Sequence, residues 1–254
     1  MDKVNFSLNG KIALVTGASR GIGRAIATTL ADYGAQVIIV SRKADALEAA
    51  AEQISSRGGK ADAMVCNVGD IKQIEHLCSS VAEKYGKLNI LVNNAATNPY
   101  FGDMLGANES LWNKTFDVNL KGPFFLIQAA AKLMMHAGGG AIVNVSSING
   151  VRPAPLQGMY SITKAAVICM TQAFAKELAP MKIRVNAILP GLVNTDFSKV
   201  IMSNDQIYQY AINMIPMRRH SEPMEIAGAV LYLVSDAAPF TTGACLVVDG
   251  GALA

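Results

Sequence analysis

The chain has 254 residues, of which 51% are hydrophobic and 16% charged, and its formal net charge is +3. This length allows one large domain or two small ones, and the composition excludes an intrinsically disordered protein. The basic residues form no cluster, so the charge gives no indication of nucleic-acid binding.

Neither a membrane span nor a disulfide framework is expected. The mean hydropathy is +0.29, but no window offers the roughly 18 consecutive apolar residues that a spanning helix needs. The chain starts without a basic segment followed by an apolar one, so we expect no signal peptide and a cytoplasmic protein. The four cysteines lie far apart and lack metal-ligand spacing, so we expect reduced thiols and no metal site.

Short apolar segments alternate with helical patterns along the chain. Predicted strands cover residues 12–15, 36–40, 60–65, 89–92, 141–145, 183–189 and 246–248. Predicted helices run from the turn after the first strand to about residue 33, then over 44–56, 71–85, about 109–136, 159–178 and about 223–234. Asp70 is expected to cap the third helix, and Gly86 to end it. This alternation predicts a single α/β domain, a Rossmann-like doubly wound parallel sheet with helices on both faces.

A glycine-rich turn joins the first predicted strand to the first helix. It reads Thr-Gly-Ala-Ser-Arg-Gly-Ile-Gly over residues 16–23. Glycines let backbone N–H groups approach a phosphate, and the following helix N-terminus adds a partial positive charge. Because a strand precedes the turn and a helix follows it, the segment predicts nucleotide binding rather than a plain turn.

The spacing TGxxxGxG, together with motifs further along the chain, resembles the short-chain dehydrogenase/reductase family in its compact form. The other motifs span nearly the whole chain, in the order Asn93-Asn94-Ala95-Ala96, Asn119, Ser147, Tyr160 with Lys164, Pro190-Gly191 and Val248-Asp249-Gly250-Gly251. The resemblance implies an oxidoreductase that interconverts a carbonyl and a secondary alcohol with a nicotinamide cofactor. It implies a cofactor site formed by Gly17, Ser19, Arg20, Gly21, Ile22, Gly23, Arg42, Asn67, Val68, Asn94, Ala95, Tyr160, Lys164, Pro190, Gly191, Val193 and Thr195.

The residues after the second strand bear on the choice of cofactor. In doubly wound folds an acidic residue at this position binds the ribose 2′-hydroxyl of NAD. Here the chain has Ser41-Arg42-Lys43, with no carboxylate. Arg42 would pair with a 2′-phosphate, flanked by Arg20, because a guanidinium donates two parallel hydrogen bonds to a phosphate. We therefore expect NADP(H) to be preferred over NAD(H).

Tyr160 and Lys164 are spaced i and i+4 on a predicted helix, and Ser147 directly follows the fifth strand. A free tyrosine has a pKa of roughly 10, and lowering it by ~3 units takes ~4 kcal/mol. Lys164 and an oxidised nicotinamide would supply this, so that Tyr160 acts as acid or base. Ser147 would bond the substrate oxygen. The resemblance further implies that Lys164 holds the nicotinamide ribose and that Asn119 completes a proton relay through water.

Two segments are expected to enclose the substrate. One is an irregular, apolar stretch over residues 192–216, which covers the substrate in the family and would act as a lid. The other is the loop 97–105, with Tyr100, Phe101, Met104 and Leu105; Pro155 and Leu156 would add to its wall. These segments carry no basic cluster, which favours a small, mostly apolar substrate.

Two alternatives stay open. A 3-oxoacyl-carrier-protein reductase of fatty-acid synthesis would need a basic docking patch near the pocket. A catalytically silent nucleotide-binding protein would show a broken Ser–Tyr–Lys set, but here the set is complete.

We also expect a homotetramer, as the resemblance implies. Two helices and the C-terminal tail 252–254 carry more apolar residues than one sheet face can cover. The residues concerned are Phe124, Phe125, Ile127, Leu133, Val167, Ile168, Met170 and Phe174.

Overall fold

The computed structural model describes residues 3–254. Its strands are β1 Ile12–Thr16, β2 Gln36–Ser41, β3 Lys60–Val65, β4 Ile90–Asn93, β5 Gly140–Val145, β6 Ile183–Pro190 and β7 Cys245–Val248. Its α-helices are α1 Gly21–Asp32, α2 Ala44–Ser56, α3 Ile71–Tyr85, α4 Glu109–Phe116, α5 Gly122–His136, α6 Gly158–Leu178, α7 Lys199–Met202, α8 Asp205–Asn213 and α9 Pro223–Val234.

The seven strands form one parallel sheet in the order β3-β2-β1-β4-β5-β6-β7. The strand order reverses between β1 and β4, so the chain leaves these neighbouring strands in opposite directions. A crevice opens at such a point beyond the carboxyl ends of the strands. The predicted doubly wound fold is confirmed.

Each face of the sheet carries its own buried core. Ala13 and Val15 of β1 pack in the cluster that includes α1, α2 and α9, whereas Leu14 packs in the cluster that includes α3, α5 and α6. All three residues are fully buried. Burial on both faces is the reason that the central strands are almost continuously apolar in sequence.

Helix α3 begins and ends as the sequence predicts. The Asp70 carboxylate accepts hydrogen bonds from the N–H groups of Lys72 and Gln73 at the helix N-terminus. At the other end Gly86 adopts a left-handed conformation with φ 69°, which favours glycine.

The helix predicted over residues 109–136 is interrupted. Between α4 and α5 the backbone forms a π-helical turn over Asp117–Lys121. Gly122 then packs against the carbonyl group of Val68 so closely that a Cβ would overlap it, and Pro123 occupies the first turn of α5. The tight approach between α5 and the loop after β3 accompanies this change of helical pitch.

The segment 192–216 is not irregular, contrary to the expectation from the sequence. It contains a 3-10 helix over Asp196–Ser198, followed by α7 and α8. Asn204 caps α8 by accepting a hydrogen bond from the N–H of Ile207 at 3.1 Å.

The apolar side chains on α5 and α6 divide into two groups. Phe124 and Phe125 are more than a third exposed. Five others of the predicted surface set are buried in the core instead: Ile127, Leu133, Val167, Met170 and Phe174. Across residues 3–254, no helix combines the length and apolarity needed to cross a membrane.

Candidate active site

A cleft of about 1050 Å³ lies at the carboxyl edge of the sheet. Its wall includes the glycine-rich turn, the ends of β2 to β6 and part of the segment 192–216. All the predicted site residues line it except Asn119. The topology therefore assembles in one place residues that are far apart in sequence.

The glycine-rich turn brings bare backbone against the end of β4. Gly17 has φ 65°, and a Cβ there would lie 2.9 Å from Cα of Ala95. A Cβ on Gly23 would overlap the carbonyl oxygen of Gly17. Neither glycine can carry a side chain without moving its neighbours, so the turn keeps its backbone open to a phosphate group at the start of α1.

Thr16 and Asn94 tie this turn to the loop after β4. The Thr16 hydroxyl accepts hydrogen bonds from the N–H groups of Asn94 and Ala95, both at 3.0 Å. In return, Nδ2 of Asn94 donates to the carbonyl oxygens of Thr16 at 2.9 Å and Gly17 at 3.2 Å. These bonds fix the two loops that face a nucleotide from either side.

The two arginines predicted to face a 2′-phosphate have different surroundings. Arg42 is exposed on the cleft wall and has no hydrogen bond or ion pair within residues 3–254. Arg20 instead donates from Nη1 to Oδ2 of Asp196 at 2.9 Å, which links the glycine-rich turn to the segment 192–216. Asp196 also pairs with Lys199, and these two contacts hold its pKa below the usual value.

The predicted cofactor residues after β3 and after β6 lie in two well-bonded turns. After β3, the Asn67 N–H donates to Oε1 of Gln73 at 2.8 Å, and its Oδ1 accepts from the N–H of Gly69 at 3.2 Å. After β6, Val193 pairs with Ser221 in an isolated bridge, and Thr195 lies beside Gly21. The hydrogen bonds within these turns would hold them in position before an adenine and a pyrophosphate bind.

Helix α6 places Tyr160 and Lys164 on the same face, deep in the cleft. Nζ of Lys164 donates to the carbonyl oxygen of Val145 at 2.8 Å and lies 5.4 Å from the centre of the Tyr160 ring. Ser146 donates from Oγ to the carbonyl oxygen of Lys164 at 2.8 Å, so its role is structural. These bonds anchor α6 to the end of β5, two residues before Ser147.

Burial shifts the pKa values of both helix residues. It raises the pKa of Tyr160 to about 12, against a smaller lowering by a hydrogen bond with Ser147. It lowers the pKa of Lys164 to about 8. The chain's own residues therefore do not produce the expected lowering of the Tyr160 pKa, because desolvation outweighs the other effects. At neutral pH the pair is a neutral phenol beside an ammonium group.

Asn119 lies behind the cleft wall rather than on it. Its Oδ1 accepts from the N–H of Thr97 at 2.8 Å, and its Nδ2 donates to the carbonyl oxygen of Thr97 at 2.9 Å and to Oγ1 of Thr163 at 3.1 Å. Thr163 in turn donates to the carbonyl oxygen of Tyr160 at 2.7 Å. The oxygen and the nitrogen of the Asn119 amide thus both hold the loop after β4 against α6.

Only some of the residues expected to enclose the substrate line the substrate end of the cleft. The aromatic ring of Phe197 lies 5.4 Å from that of Tyr160, between ring centres. Apolar side chains that line this end include Phe101, Ala154, Phe197, Val200 and Ile201. The following predicted wall and lid residues do not line the cleft: Tyr100, Met104, Leu105, Pro155, Leu156, Met202, Ile207, Tyr208, Tyr210, Met214 and Ile215.

Sequence reasoning missed three amide side chains on the cleft wall, Asn98, Asn149 and Gln157. The signal was available for two of them. Asn149 comes two residues after Ser147, and Gln157 comes three residues before Tyr160, so both lie on the segment that joins Ser147 to α6.

Comparison with known proteins agrees with this geometry. A family model described as "Enoyl-(Acyl carrier protein) reductase" matches residues 17–252. L-rhamnose 1-dehydrogenase (NAD(P)(+)) from Azotobacter vinelandii is 40% identical, covering 95% of this chain and 96% of its own length. Dehydrogenase/reductase SDR family member 4 from Homo sapiens is 38% identical, covering 96% of this chain and 88% of its own. The chain belongs to the short-chain dehydrogenase/reductase family.

The solved structures agree with this assignment. A putative short-chain alcohol dehydrogenase from Sinorhizobium meliloti 1021 superposes with a TM-score of 0.93 at 39% identity, covering 98% of both chains. Members of this family are dehydrogenases and reductases that act on alcohols or carbonyls with NAD(P), and this chain is such an oxidoreductase.

Proposed function

We propose that the protein interconverts a carbonyl and a secondary alcohol on a small, mostly apolar substrate, with NADP(H) as cofactor and Tyr160 as acid and base. The observation that carries this proposal is the convergence of Ser147, Tyr160 and Lys164 at the inner end of the glycine-lined cleft. Tyr160 is the proton donor and Lys164 the neighbouring positive charge, both on α6, and Ser147 supplies a hydrogen-bonding hydroxyl from the end of β5.

The residues divide the chemistry between them. A bound NADPH supplies the hydride for reduction. Ser147 receives a hydrogen bond at Oγ from the N–H of Asn149 at 3.1 Å, so its own hydroxyl acts as a donor and can turn from Tyr160 to a substrate oxygen. Tyr160 is protonated at neutral pH and donates the proton that the carbonyl oxygen needs. The positive charge of Lys164 stabilises the phenolate that remains.

Asn119 has a supporting place in this scheme. Its side chain is fully bonded to Thr97 and Thr163, so a proton relay from this residue would have to use its main-chain carbonyl group. We assign Asn119 the positioning of α6 and, through that helix, of Tyr160.

The preference for NADP(H) rests on the end of β2. No carboxylate follows the strand, and Arg42 is exposed on the cleft wall with no acidic partner within the described chain. A 2′-phosphate would provide that partner. Arg20 contributes less than the sequence suggests, because Asp196 already occupies its guanidinium.

The walls near Tyr160 support a substrate that is mostly apolar. Phe101 approaches from the loop after β4, and Phe197 and Ile201 approach from the segment 192–216. The segment itself carries one basic residue, Lys199, which pairs with Asp196. Of the two arginines just after it, Arg219 pairs with Glu225, and Arg218 bonds only to Asn213 within residues 3–254.

The carrier-protein alternative keeps one supporting observation, the description of the matching family model. Against it, the segment 192–216 carries a single lysine and no basic cluster that would dock an acidic carrier. The silent-binder alternative has no support in the site, because Ser147, Tyr160 and Lys164 are all present and close together.

The test is an initial-rate assay at 340 nm with a panel of ketones, aldehydes and secondary alcohols, each with NADPH or NADP⁺ and with NADH or NAD⁺. We expect turnover of small carbonyls with NADPH. Turnover restricted to acyl thioesters would favour the carrier-protein reductase, and binding of NADPH without turnover of any compound would favour the silent binder.

We also propose a homotetramer. Phe124 and Phe125 are more than a third exposed on α5, Trp112 is 43% exposed on α4, and Phe240 is fully exposed before β7. A homotetramer built on two-fold axes would bury such exposed apolar groups, which α4, α5 and the segment between α9 and β7 carry. Light scattering is expected to give about four times the chain mass of 26.8 kDa; a monomer mass would contradict the proposal.

A further inference from the structure

Two amide side chains form a polar strip on the cleft wall next to the catalytic residues. Asn149 lies in the turn directly after Ser147, and Gln157 caps the start of the helix that carries Tyr160. Gln157 is only 9% exposed, and Asn149 is half-buried. Both line the cleft. The catalytic scheme described above uses neither side chain.

Much of the hydrogen-bonding capacity of this pair is unused. Nδ2 of Asn149 donates to Oε1 of Gln157 at 3.4 Å, a long bond. Within residues 3–254, Nε2 of Gln157 and Oδ1 of Asn149 have no hydrogen-bond partner. Both side chains line the cleft, so the free donor and the free acceptor are available to a ligand that binds there.

The backbone holds the pair in a fixed position. Leu156, just before Gln157, adopts a left-handed conformation with φ 63°, which is strained for a leucine, and its carbonyl oxygen accepts from the N–H of Gly102 at 2.9 Å. The Gln157 carbonyl oxygen accepts from the N–H of Ser161 at 2.9 Å and from its Oγ at 2.8 Å. On the other side, the N–H of Asn149 is bonded to Oγ of Ser147. The amides are therefore fixed relative to the reacting groups.

The chemistry of the pair identifies the group it would bind. The free positions are a donor on Gln157 and an acceptor on Asn149, and within residues 3–254 neither amide side chain is hydrogen-bonded to a charged group. A hydroxyl group both accepts and donates, whereas a carboxylate only accepts and an ammonium only donates. The pair lies beside Ser147, which bonds the reacting oxygen, so the hydroxyl would stand on a carbon next to the reacting one.

We infer that Asn149 and Gln157 bind a hydroxyl group adjacent to the reacting carbon, so that the substrate class is an uncharged hydroxy ketone or the corresponding vicinal diol. This inference rests on the proposed function and deepens it: the rest of the substrate still meets the apolar side chains Phe101, Phe197 and Ile201. Asn149 and Gln157 would thus determine specificity, while Ser147, Tyr160 and Lys164 perform the chemistry.

The first test compares matched ketones that differ by one hydroxyl: butan-2-one with 3-hydroxybutan-2-one, and cyclohexanone with 2-hydroxycyclohexanone. With NADPH, the wild type should show a kcat/KM at least about 10-fold higher for the hydroxylated member of each pair. A ketone without the hydroxyl group would leave the two amides without their hydrogen-bond partner. In Gln157→Met this ratio should fall to near 1, and Asn149→Leu serves as a second variant should the first fold poorly. Gln172→Met is the matched control, because Gln172 is exposed on the same helix and does not line the cleft; it should keep the wild-type ratio.

The second test measures binding without turnover. Calorimetric titration of the NADP⁺-loaded enzyme with butane-2,3-diol and with butan-2-ol at pH 6, where oxidation is slow, should give tighter binding of the diol, and Gln157→Met should remove the difference. Equal kcat/KM values within both ketone pairs, or a ratio unchanged in both amide variants, would overturn the inference while leaving the proposed function intact. Absence of turnover with every carbonyl would instead overturn the proposed function, and the diol titration would still decide the role of the amides.

Discussion

The cofactor end and the substrate end of the cleft are built in different ways. At the cofactor end the shape comes from the main chain: Gly17 and Gly23 leave no room for a side chain, and Thr16 and Asn94 bond the two loops through backbone groups. At the substrate end the shape comes from side chains on three separate segments, with Phe101, Gln157 and Phe197 as representatives. Backbone-built sites tolerate few substitutions, whereas side-chain-built sites change specificity easily.

Gly23 gives the strongest test of the claim that the cofactor end is built from the main chain. In Gly23→Ala the added methyl group would overlap the carbonyl oxygen of Gly17, so the turn must move. We expect NADPH binding to weaken by about 100-fold or more, since displacements of about 1 Å at a preorganised site have effects of that size. Fluorescence titration with NADPH measures this.

Gly228→Ala provides the control for that variant. Gly228 lies in the interior of α9, and the space that a Cβ would occupy there has no other atom within 4 Å. Its replacement should leave NADPH binding unchanged and raise stability by about 0.5 to 1 kcal/mol. Normal cofactor binding by Gly23→Ala would show that the cofactor end is not built from the backbone in the way described.

Arg42 is the exception at the cofactor end, because there we propose that a side chain selects the cofactor. Arg42→Ala should raise KM for NADPH by roughly 10- to 150-fold, the worth of one charge-assisted hydrogen bond, and leave NADH nearly unaffected. Adding Ser41→Asp should go further, since the carboxylate would accept from the NAD ribose and repel the phosphate. The quantity to measure is kcat/KM for both cofactors at one ionic strength.

Arg57→Ala is a suitable control for the cofactor experiment, because Arg57 pairs with Asp32 outside the cleft. It should leave both cofactors unaffected. Two results would show that the residues after β2 do not select the cofactor: a wild type that already prefers NADH, or an Arg42→Ala variant in which kcat/KM falls equally with both cofactors.

The pH dependence tests the inner end, where the two halves of the cleft meet. The pKa of Lys164 is lowered to about 8, so this residue loses its proton as the pH rises through 8, whereas Tyr160, with its pKa raised to about 12, stays protonated. Carbonyl reduction requires Tyr160 to be protonated as the proton donor and Lys164 to be protonated as the neighbouring charge. The value of kcat/KM should therefore fall about tenfold per pH unit above about 8. Initial rates from pH 6 to 9.5 measure this.

The fall in kcat/KM would not result from unfolding caused by deprotonation of Lys164. The unfolded chain keeps the lysine proton up to its ordinary pKa of 10.5 while the folded chain releases it near 8, so this residue makes the fold more stable as pH rises between those values. Circular dichroism at each pH serves as the control. A rate that stays constant to pH 9.5 would contradict the assigned role of Lys164.

The sequence predicted the fold and the position of the glycine-rich turn well because their determinants are local. Alternating apolar segments set the strands, and Asp70 and Gly86 mark the ends of a helix through their own backbone chemistry. Glycine spacing encodes the turn directly. Such signals depend on neighbours within a few residues and need no knowledge of the tertiary structure.

The features that the sequence did not predict depend on distant contacts. The π-helical turn before Gly122 accompanies the close approach of Val68, more than fifty residues away, although the pair Gly122-Pro123 was a local hint. Arg20 is paired with Asp196 across the cleft, which no local pattern indicates. Which apolar residues of the segment 192–216 face the cleft follows from how α7 and α8 pack, and a run such as Ile207 to Tyr210 does not reveal it.

Replacing Tyr160 with phenylalanine, with turnover and NADPH binding measured on the same sample, tests the central claim most directly. The ring and its packing stay while the proton donor is lost, so kcat should fall by ~10² to 10⁴ while the NADPH dissociation constant stays near the wild-type value. Tyr33→Phe, which removes a hydroxyl from a half-exposed tyrosine outside the cleft, should change neither quantity. A near wild-type kcat in Tyr160→Phe would contradict the assignment of this residue as the acid and base of the reaction.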